Sequence, residues 1–300
     1  MKKKTYLFAL MAMALTLGSC SDNENGIGGE TSKYITVSTS IGNMTRVATD
    51  ANGGQTFEEG DEISVYAWTG APTVAPETRE RVVNNAINKL TNGSWVSSPQ
   101  MLWKNNRDKH YFIGVYPISA ISDLSAGEYT FDVNKQTESD LLVAVNADGL
   151  SYNADEQQTV PLTFTHVMSK LAVNLTYKNQ WGGIPTVEKV VVGNAAKEAT
   201  INYLTKVVTP STTAKEDFSL PEITENTKYV SVIIPQEDVK QLTIVIGGKN
   251  FVYDNGTPFK LESGKITTVN LEVGRDEIKL GDVKITDWEN GSTFSGEALN

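Results

Sequence analysis

The chain has 300 residues, 26 lysines and arginines against 36 aspartates and glutamates, a formal net charge of −10 at pH 7, and a single cysteine. So acidic a polypeptide has no electrostatic reason to bind nucleic acid or anionic lipid headgroups. A lone cysteine also leaves no intrachain disulfide, so stability must come from packed cores. The length suits two domains better than one, with a single large β domain as the other option.

The first twenty residues read as a bacterial lipoprotein signal. Lys2, Lys3 and Lys4 supply the charged start, Leu7 to Leu17 the apolar stretch, and Leu17-Gly18-Ser19-Cys20 small residues just ahead of the cysteine. The apolar run is too short to span a bilayer. A signal peptide of residues 1–19 is therefore expected, with Cys20 lipidated by a thioether-linked diacylglyceryl group and an acylated amino terminus, palmitate being typical. Several acyl chains at about 0.8 kcal/mol per buried CH2 make a stable anchor. Residues 20–33 are polar and Gly-rich, a composition that reads as a flexible tether.

From Tyr34 onward short β-like runs alternate with turn residues. Ile35, Val37 and Ile41 lie in one period-two phase, Ile63, Val65 and Ala67 in another, and Val230, Val232 and Ile234 in a third. Such alternation predicts one buried face and one solvated face. Val83, Ala86, Ile87 and Leu90 sit instead at helical spacing behind Glu77, Arg79, Glu80 and Arg81. Asn84, Asn85 and Asn88 weaken a helix there, and the residues alone leave helix and strand both open. Val187 to Val192 is β-branched and ends at Gly193-Asn194. Leu242 to Ile246 and Asn250 to Tyr253 flank Gly247-Gly248, which predicts a tight hairpin. Lys265 to Val273 follows the turn-like Ser263-Gly264. Near the C-terminus Ile278 and Leu280 share one phase and Val283 and Ile285 the other, so Gly281-Asp282 marks a bulge or kink. Many short strands at this spacing predict an all-β chain of antiparallel sandwiches.

The search for chemistry returns little. His110 and His166 have no cysteine to help them, and no HExxH, GxSxG or Walker A pattern occurs. Both are expected to be ordinary residues at the edges of sheets, with no metal, no cofactor and no enzymatic role. Phe57-Glu58-Glu59-Gly60-Asp61-Glu62 reads as a solvated turn rather than a pair of catalytic carboxylates. Asp50-Ala51-Asn52-Gly53 begins like a calcium loop whose remaining ligands do not follow. Trp68, Trp95, Trp103, Trp181 and Trp288 are expected to cap sandwich cores, the alternative being a stacking platform for sugars.

A set of segments then comes in a telling order. Thr45-Arg46 is followed by FEEGDEISVY at 57–66, YFIGVYP at 111–117, DLLVA at 140–144, LTFTHVMSKL at 162–171 and VKITDWENG at 283–291. In that order, and behind the lipoprotein signal, they resemble the fimbrillin-like (Mfa-like) proteins of Bacteroidia. The resemblance implies a type V pilus subunit with two tandem transthyretin-like β-sandwich domains, 34–159 and 160–300, exported as a lipoprotein to the outer membrane and the cell surface. It implies cutting after Arg46 by an arginine-specific protease, with Val47 as the new N-terminus. Arg79, Arg81 and Arg107 are rival cut sites. The strand holding Ile35, Val37 and Ile41 would be removed, and a donor strand at 276–288, with Ile278, Leu280, Val283 and Ile285, would enter the groove of another fimbrial subunit. The other use of that segment is as the last strand of its own domain. The reading expected is a fimbrial structural subunit contributing to adhesion; the alternative is a monomeric surface lipoprotein that binds glycans.

Overall fold

The computed structural model describes residues 33–42, 57–156, 158–254 and 256–288. The regular structure of these residues is almost wholly strand, since β-branched and aromatic residues fill short runs between turns. Its first half gives β1 (Thr36–Ile41), β2 (Glu62–Thr69), β3 (Arg81–Thr91), β4 (Ser94–Ser98), β5 (His110–Tyr116), β6 (Gly127–Thr130), β7 (Leu142–Leu150) and β8 (Thr159–His166). All but β6 form one sheet in the order β1-β8-β7-β5-β2-β3-β4.

That sheet curls until its two ends meet. Ile35 N donates to Met101 O at 2.9 Å and Trp103 N to Lys33 O at 3.2 Å, while Trp95 Nε1 of β4 donates to Thr39 Oγ1 of β1 at 2.9 Å. Enclosed by the curl are Ile35, Val37, Ile63, Val65, Phe112, Leu162 and Phe164. The other face is covered as well, because Tyr66, Trp68, Ile113, Val115 and Val143 join a core that continues into the second half. The half-solvated alternation expected for Ile63, Val65 and Ala67 is thereby corrected: every residue from Ile63 to Trp68 is buried. Val230, Val232 and Ile234 need the same correction, since Ser231 and Ile233 between them are buried too.

The second half contributes β9 (Ser169–Tyr177), β10 (Val187–Ala196), β11 (Glu198–Asn202), β12 (Val207–Pro210), β13 (Lys215–Ser219), β14 (Glu222–Thr224), β15 (Lys228–Ile233), β16 (Gln241–Ile246), β17 (Lys249–Asp254), β18 (Lys265–Val273) and β19 (Ile278–Asp287). Two sheets, β14-β15-β9-β18-β19 and β13-β10-β16-β17, share a core that includes Leu171, Val173, Val190, Val192, Ile244 and Leu271. A third sheet, β12-β11-β6, pairs β6 of the first half with β11 of the second, Ala199 standing opposite Tyr129.

Several expectations meet the structure directly. The expected division between residues 159 and 160 falls inside β8, which pairs with β1 and β7 in the first sheet. Two pairings, β1 with β8 and β9 with β18, are parallel in otherwise antiparallel surroundings. The segment of helical spacing is β3. A bulge there, with Asn85 at φ 56°, shifts the phase by one residue, so Val83 and Ala86, three apart, are both buried. Gly247 and Gly248, at φ 58° and 72°, close the β16–β17 hairpin as their positive-φ preference predicts. Gly193-Asn194 does not end β10; the strand runs on to Ala196 through an irregularity in its register.

Tight packing brings Phe164 against the backbone of β5. A Cβ on Gly114 would stand 2.6 Å from Phe164 Cζ and 3.1 Å from Leu162 Cδ1, closer than atoms in a filled core allow. Gly114→Ala is expected to destabilise the chain by about 1–3 kcal/mol, read as a lowered midpoint in chemical denaturation with an unchanged slope. An unchanged midpoint would contradict the packing described.

Candidate strand-exchange site

β1 is a short run of β-branched and hydroxyl residues, TVSTSI, whose chemistry alternates with the pleat. Ile35, Val37 and Ile41 face the core with 2, 6 and 7 % of their surface exposed. Ser38 and Ser40 face solvent. On that outer face Thr36 Oγ1 lies 3.2 Å from Thr159 Oγ1 and Ser40 Oγ 3.2 Å from Thr163 Oγ1. The buried side chains contribute about 1.5–3 kcal/mol each. Without β1, Val160, Leu162 and Phe164 of β8 would lose their cover, and the β8 backbone would present an unpaired edge.

β19 shows the complementary condition at the far end of the chain. It is the outermost strand of its sheet, paired only with β18 among the described residues. Leu280 stands opposite Leu271 and Asp282 opposite Asn270, so Gly281 is the extra residue of a bulge. The bulge cancels the phase break read from the sequence. Ile278, Leu280, Val283 and Ile285 all lie opposite buried residues of β18, namely Val273, Leu271, Val269 and Thr267, and so share one face. That face is poorly covered: Leu280, Val283 and Ile285 remain 37, 38 and 39 % exposed.

The most deeply buried residue of this segment is the one just after the strand. Trp288 is 4 % exposed, and its ring stacks on His166 with centroids 4.0 Å apart and planes 8° from parallel. Lys170 Nζ lies 4.2 Å from the indole centroid, and Trp288 N donates to Gly264 O at 3.0 Å. His166 Nδ1 is 2.8 Å from Asp140 Oδ1, which orients the imidazole. Burial pushes the Lys170 ammonium below the usual lysine range, with Asp140 acting in the opposite sense. Trp288 was legible as a core aromatic, but His166 and Lys170, the groups that flank its ring, lie over a hundred residues away and left no local signal.

The remaining candidates fall into structural roles. His110 is fully buried, its Nε2 accepting from Lys104 N at 3.0 Å, and burial pushes its pKa down. Neither histidine is on an edge strand, contrary to expectation: β5 and β8 are both interior to the seven-stranded sheet. Among the described residues no group of three or more His, Cys, Asp or Glu is placed to hold a metal. In the acidic turn Asp61 Oδ2 accepts from Glu58 N at 2.7 Å, Glu59 Oε1 accepts from Asn92 N at 2.8 Å, and Glu62 pairs with Lys89 at 3.1 Å. Trp68, Trp103 and Trp288 are buried, and Trp95 and Trp181 are partly buried against the cores. Arg81 is buried and donates to Asn84 Oδ1, Ile121 O and Ser122 O, whereas Arg79 and Arg107 are exposed. Cys20, Arg46, Val47 and the stretch 50–53 lie outside the described residues. No helix among the described residues is long and apolar enough to cross a membrane.

Comparison with known proteins gives this arrangement its context. The family model described as fimbrillin-like matches residues 45–288. No curated protein matches. Among solved structures, a candidate cell adhesion protein of Bacteroides uniformis is similar with a TM-score of 0.64 at 19 % identity, covering 86 % of this chain and 100 % of the other. A candidate cell adhesion protein of Bacteroides ovatus gives 0.58 at 17 %, covering 85 and 96 %. A fimbrial protein of Bacteroides vulgatus gives 0.55 at 14 %, covering 86 and 100 %. At such identities the likeness is one of fold.

Removing the indole tests whether Trp288 pins the C-terminal strand. Trp288→Ala is expected to cost about 3–5 kcal/mol at this site. Amide hydrogen exchange across 278–287 should then accelerate by at least tenfold while β2 and β5 stay protected. Equal protection of 278–287 in both proteins would show that the strand is held by other contacts.

Proposed function

Because the chain belongs to the fimbrillin-like family, we propose that it is a structural, non-enzymatic subunit of a type V pilus, brought to the outer membrane by lipidated Cys20 and assembled by strand exchange after a cut that frees it from that anchor. Cys20 carries the thioether-linked diacylglyceryl group, removal of residues 1–19 frees its amino group for acylation, and residues 20–33 tether the folded part to the membrane until the chain is cut. Cleavage after Arg46 then makes Val47 the N-terminus and cuts β1 off from β2. Its partners are other fimbrial subunits, and its contribution to adhesion is made through the fibre.

The observation that carries this reading is the way β1 is held. Its inner face completes a core, yet among the described residues its one strand ladder is with β8, and the chain between it and β2 contains Arg46. A cut there turns a covalently tethered strand into a separate peptide that can be lost. The groove left behind offers unpaired backbone groups and empty apolar positions, the kind of edge that recruits a strand from another chain. β19 is a suitable donor because its apolar face is only partly covered where it now lies. Four side chains entering the groove would contribute about 1.5–3 kcal/mol each, and each main-chain hydrogen bond about 1 kcal/mol more. A head-to-tail contact of this sort does not close on itself and therefore builds a filament. The competing reading, a monomeric glycan binder, loses its carrier because none of the five tryptophans forms an exposed platform.

The test is assembly in mixtures. Chains cut after Arg46 are expected to form SDS-resistant ladders, and Arg46→Ala chains given the same protease are expected to stay monomeric. A chain truncated from Asp276 onward should accept a donor and offer none, so that it shortens wild-type ladders and forms none alone. Ladders of wild-type length from the truncated chain alone would show that the donor is not the C-terminal strand.

A further inference from the structure

We propose that the C-terminal strand of a second copy enters the groove in β1's own direction, parallel to β8 and with the Gly281 bulge kept. Ile278, Leu280, Val283 and Ile285 then stand where Ile35, Val37, Thr39 and Ile41 stood. The inference rests on the strand-exchange reading and specifies the direction and register that this reading leaves open.

The register follows from counting side chains on one face. β1 turns every second residue inward, at 35, 37, 39 and 41. The donor's apolar residues fall at 278, 280, 283 and 285, and in a regular strand the last two would point away from the first two. In its own sheet Gly281 absorbs the extra residue, and the four side chains share a face. The bulged strand therefore presents β1's pattern, and a straightened one does not. Val283 also matches the shape of Thr39, although it cannot accept the Trp95 Nε1 hydrogen bond. Trp95 is only partly buried, which leaves that donor free to turn to water.

Direction is decided at the end of the groove. Ile41 stands opposite Phe164, and Gly42 N donates to Phe164 O at 2.6 Å. Continuing that pairing with the donor puts Asp287 opposite His166 and Trp288 one residue beyond. His166 and Lys170 are the groups that hold Trp288 in its own chain, and they are vacated once a subunit's own β19 has been donated. Beside them opens a cleft of about 560 Å3 lined in part by Ile41, Phe57, Tyr116 and Lys170. A donor entering in the reverse direction would carry Trp288 to the opposite end of the groove, away from both.

Cysteine pairs distinguish these arrangements. The outward oxygens of Thr36 and Ser40 lie 3.2 Å from those of Thr159 and Thr163. In the proposed register Lys279 and Lys284 take over the places of Thr36 and Ser40. Full chains carrying Cys20→Ser and one new cysteine each are processed, mixed in donor and acceptor pairs, and oxidised. Lys279→Cys should cross-link to Thr159→Cys, and Lys284→Cys to Thr163→Cys, each in more than half of the molecules and only after processing. These two links are five residues apart on the donor and four on the acceptor, so both form only if the bulge is kept. Formation of just one of the two would overturn the bulged register. Cross-links only in the swapped pairs, Lys284→Cys with Thr159→Cys and Lys279→Cys with Thr163→Cys, would show the reverse direction. Ladders without any of these cross-links would place the donor elsewhere. Absence of ladders from the processed Cys20→Ser parent would instead remove the strand-exchange reading itself.

Discussion

The parallel pairing of β1 with β8 is the contact on which the first half of this molecule depends. Six residues from the N-terminal end run beside a strand more than a hundred positions later and close a sheet that would otherwise end in an open edge. Because the sheet curls, β1 is also drawn against β4 and the segment around Met101, through Trp95, Ile35 and Trp103. Its inner side chains are therefore buried from two directions. The same strand is a poor permanent fixture, since it is short and only one of its edges carries a strand ladder. In the proposed assembly β1 is a removable wall, and a single cleavage would open the core behind it.

β19 is the reverse case. It is long and edge-placed, and it exposes over a third of Leu280, Val283 and Ile285. Its surface ion pair to the neighbouring strand, Asp287 with Lys265 of β18, holds it weakly. The Trp288 ring, stacked on His166 and covered by Lys170, is the deep attachment. On the proposed function, an element with one deeply buried anchor and an incompletely buried apolar face would gain by moving to a groove that covers that face. In the proposed assembly the difference in burial between β1 and β19 would give exchange its direction, and the loss of β1 its trigger.

Much of the strand pattern is legible in the sequence. The alternation through Ile35, Val37 and Ile41 marks a one-faced strand, and Gly281-Asp282 between two phases marks a bulge. The residues that misled did so for physical reasons. Ile63, Val65 and Ala67 alternate with Ser64, Tyr66 and Trp68, which are buried too, the two aromatics in a second core that period-two reading does not detect. Val83 and Ala86 sit at helical spacing because a bulge at Asn85 displaces the phase of a strand. Parallel pairing leaves no turn signature, so the union of β1 with β8, and with it the place of residues 160–166, could not be read locally. The stacking of Trp288 on His166 is hidden for the same reason: each residue is ordinary in its own neighbourhood. The lipoprotein signal and the Arg46 site remain readings of sequence, since they fall outside the described residues.

The most direct test of the account is the structure of the assembled fibre, determined by cryo-electron microscopy at a resolution that identifies side chains. The account predicts that residues 33–42 are absent from every subunit inside the fibre and that residues 278–287 of a neighbouring copy lie beside 159–166. Subunits that still hold their own Thr36–Ile41 against β8 while joined to one another would contradict it.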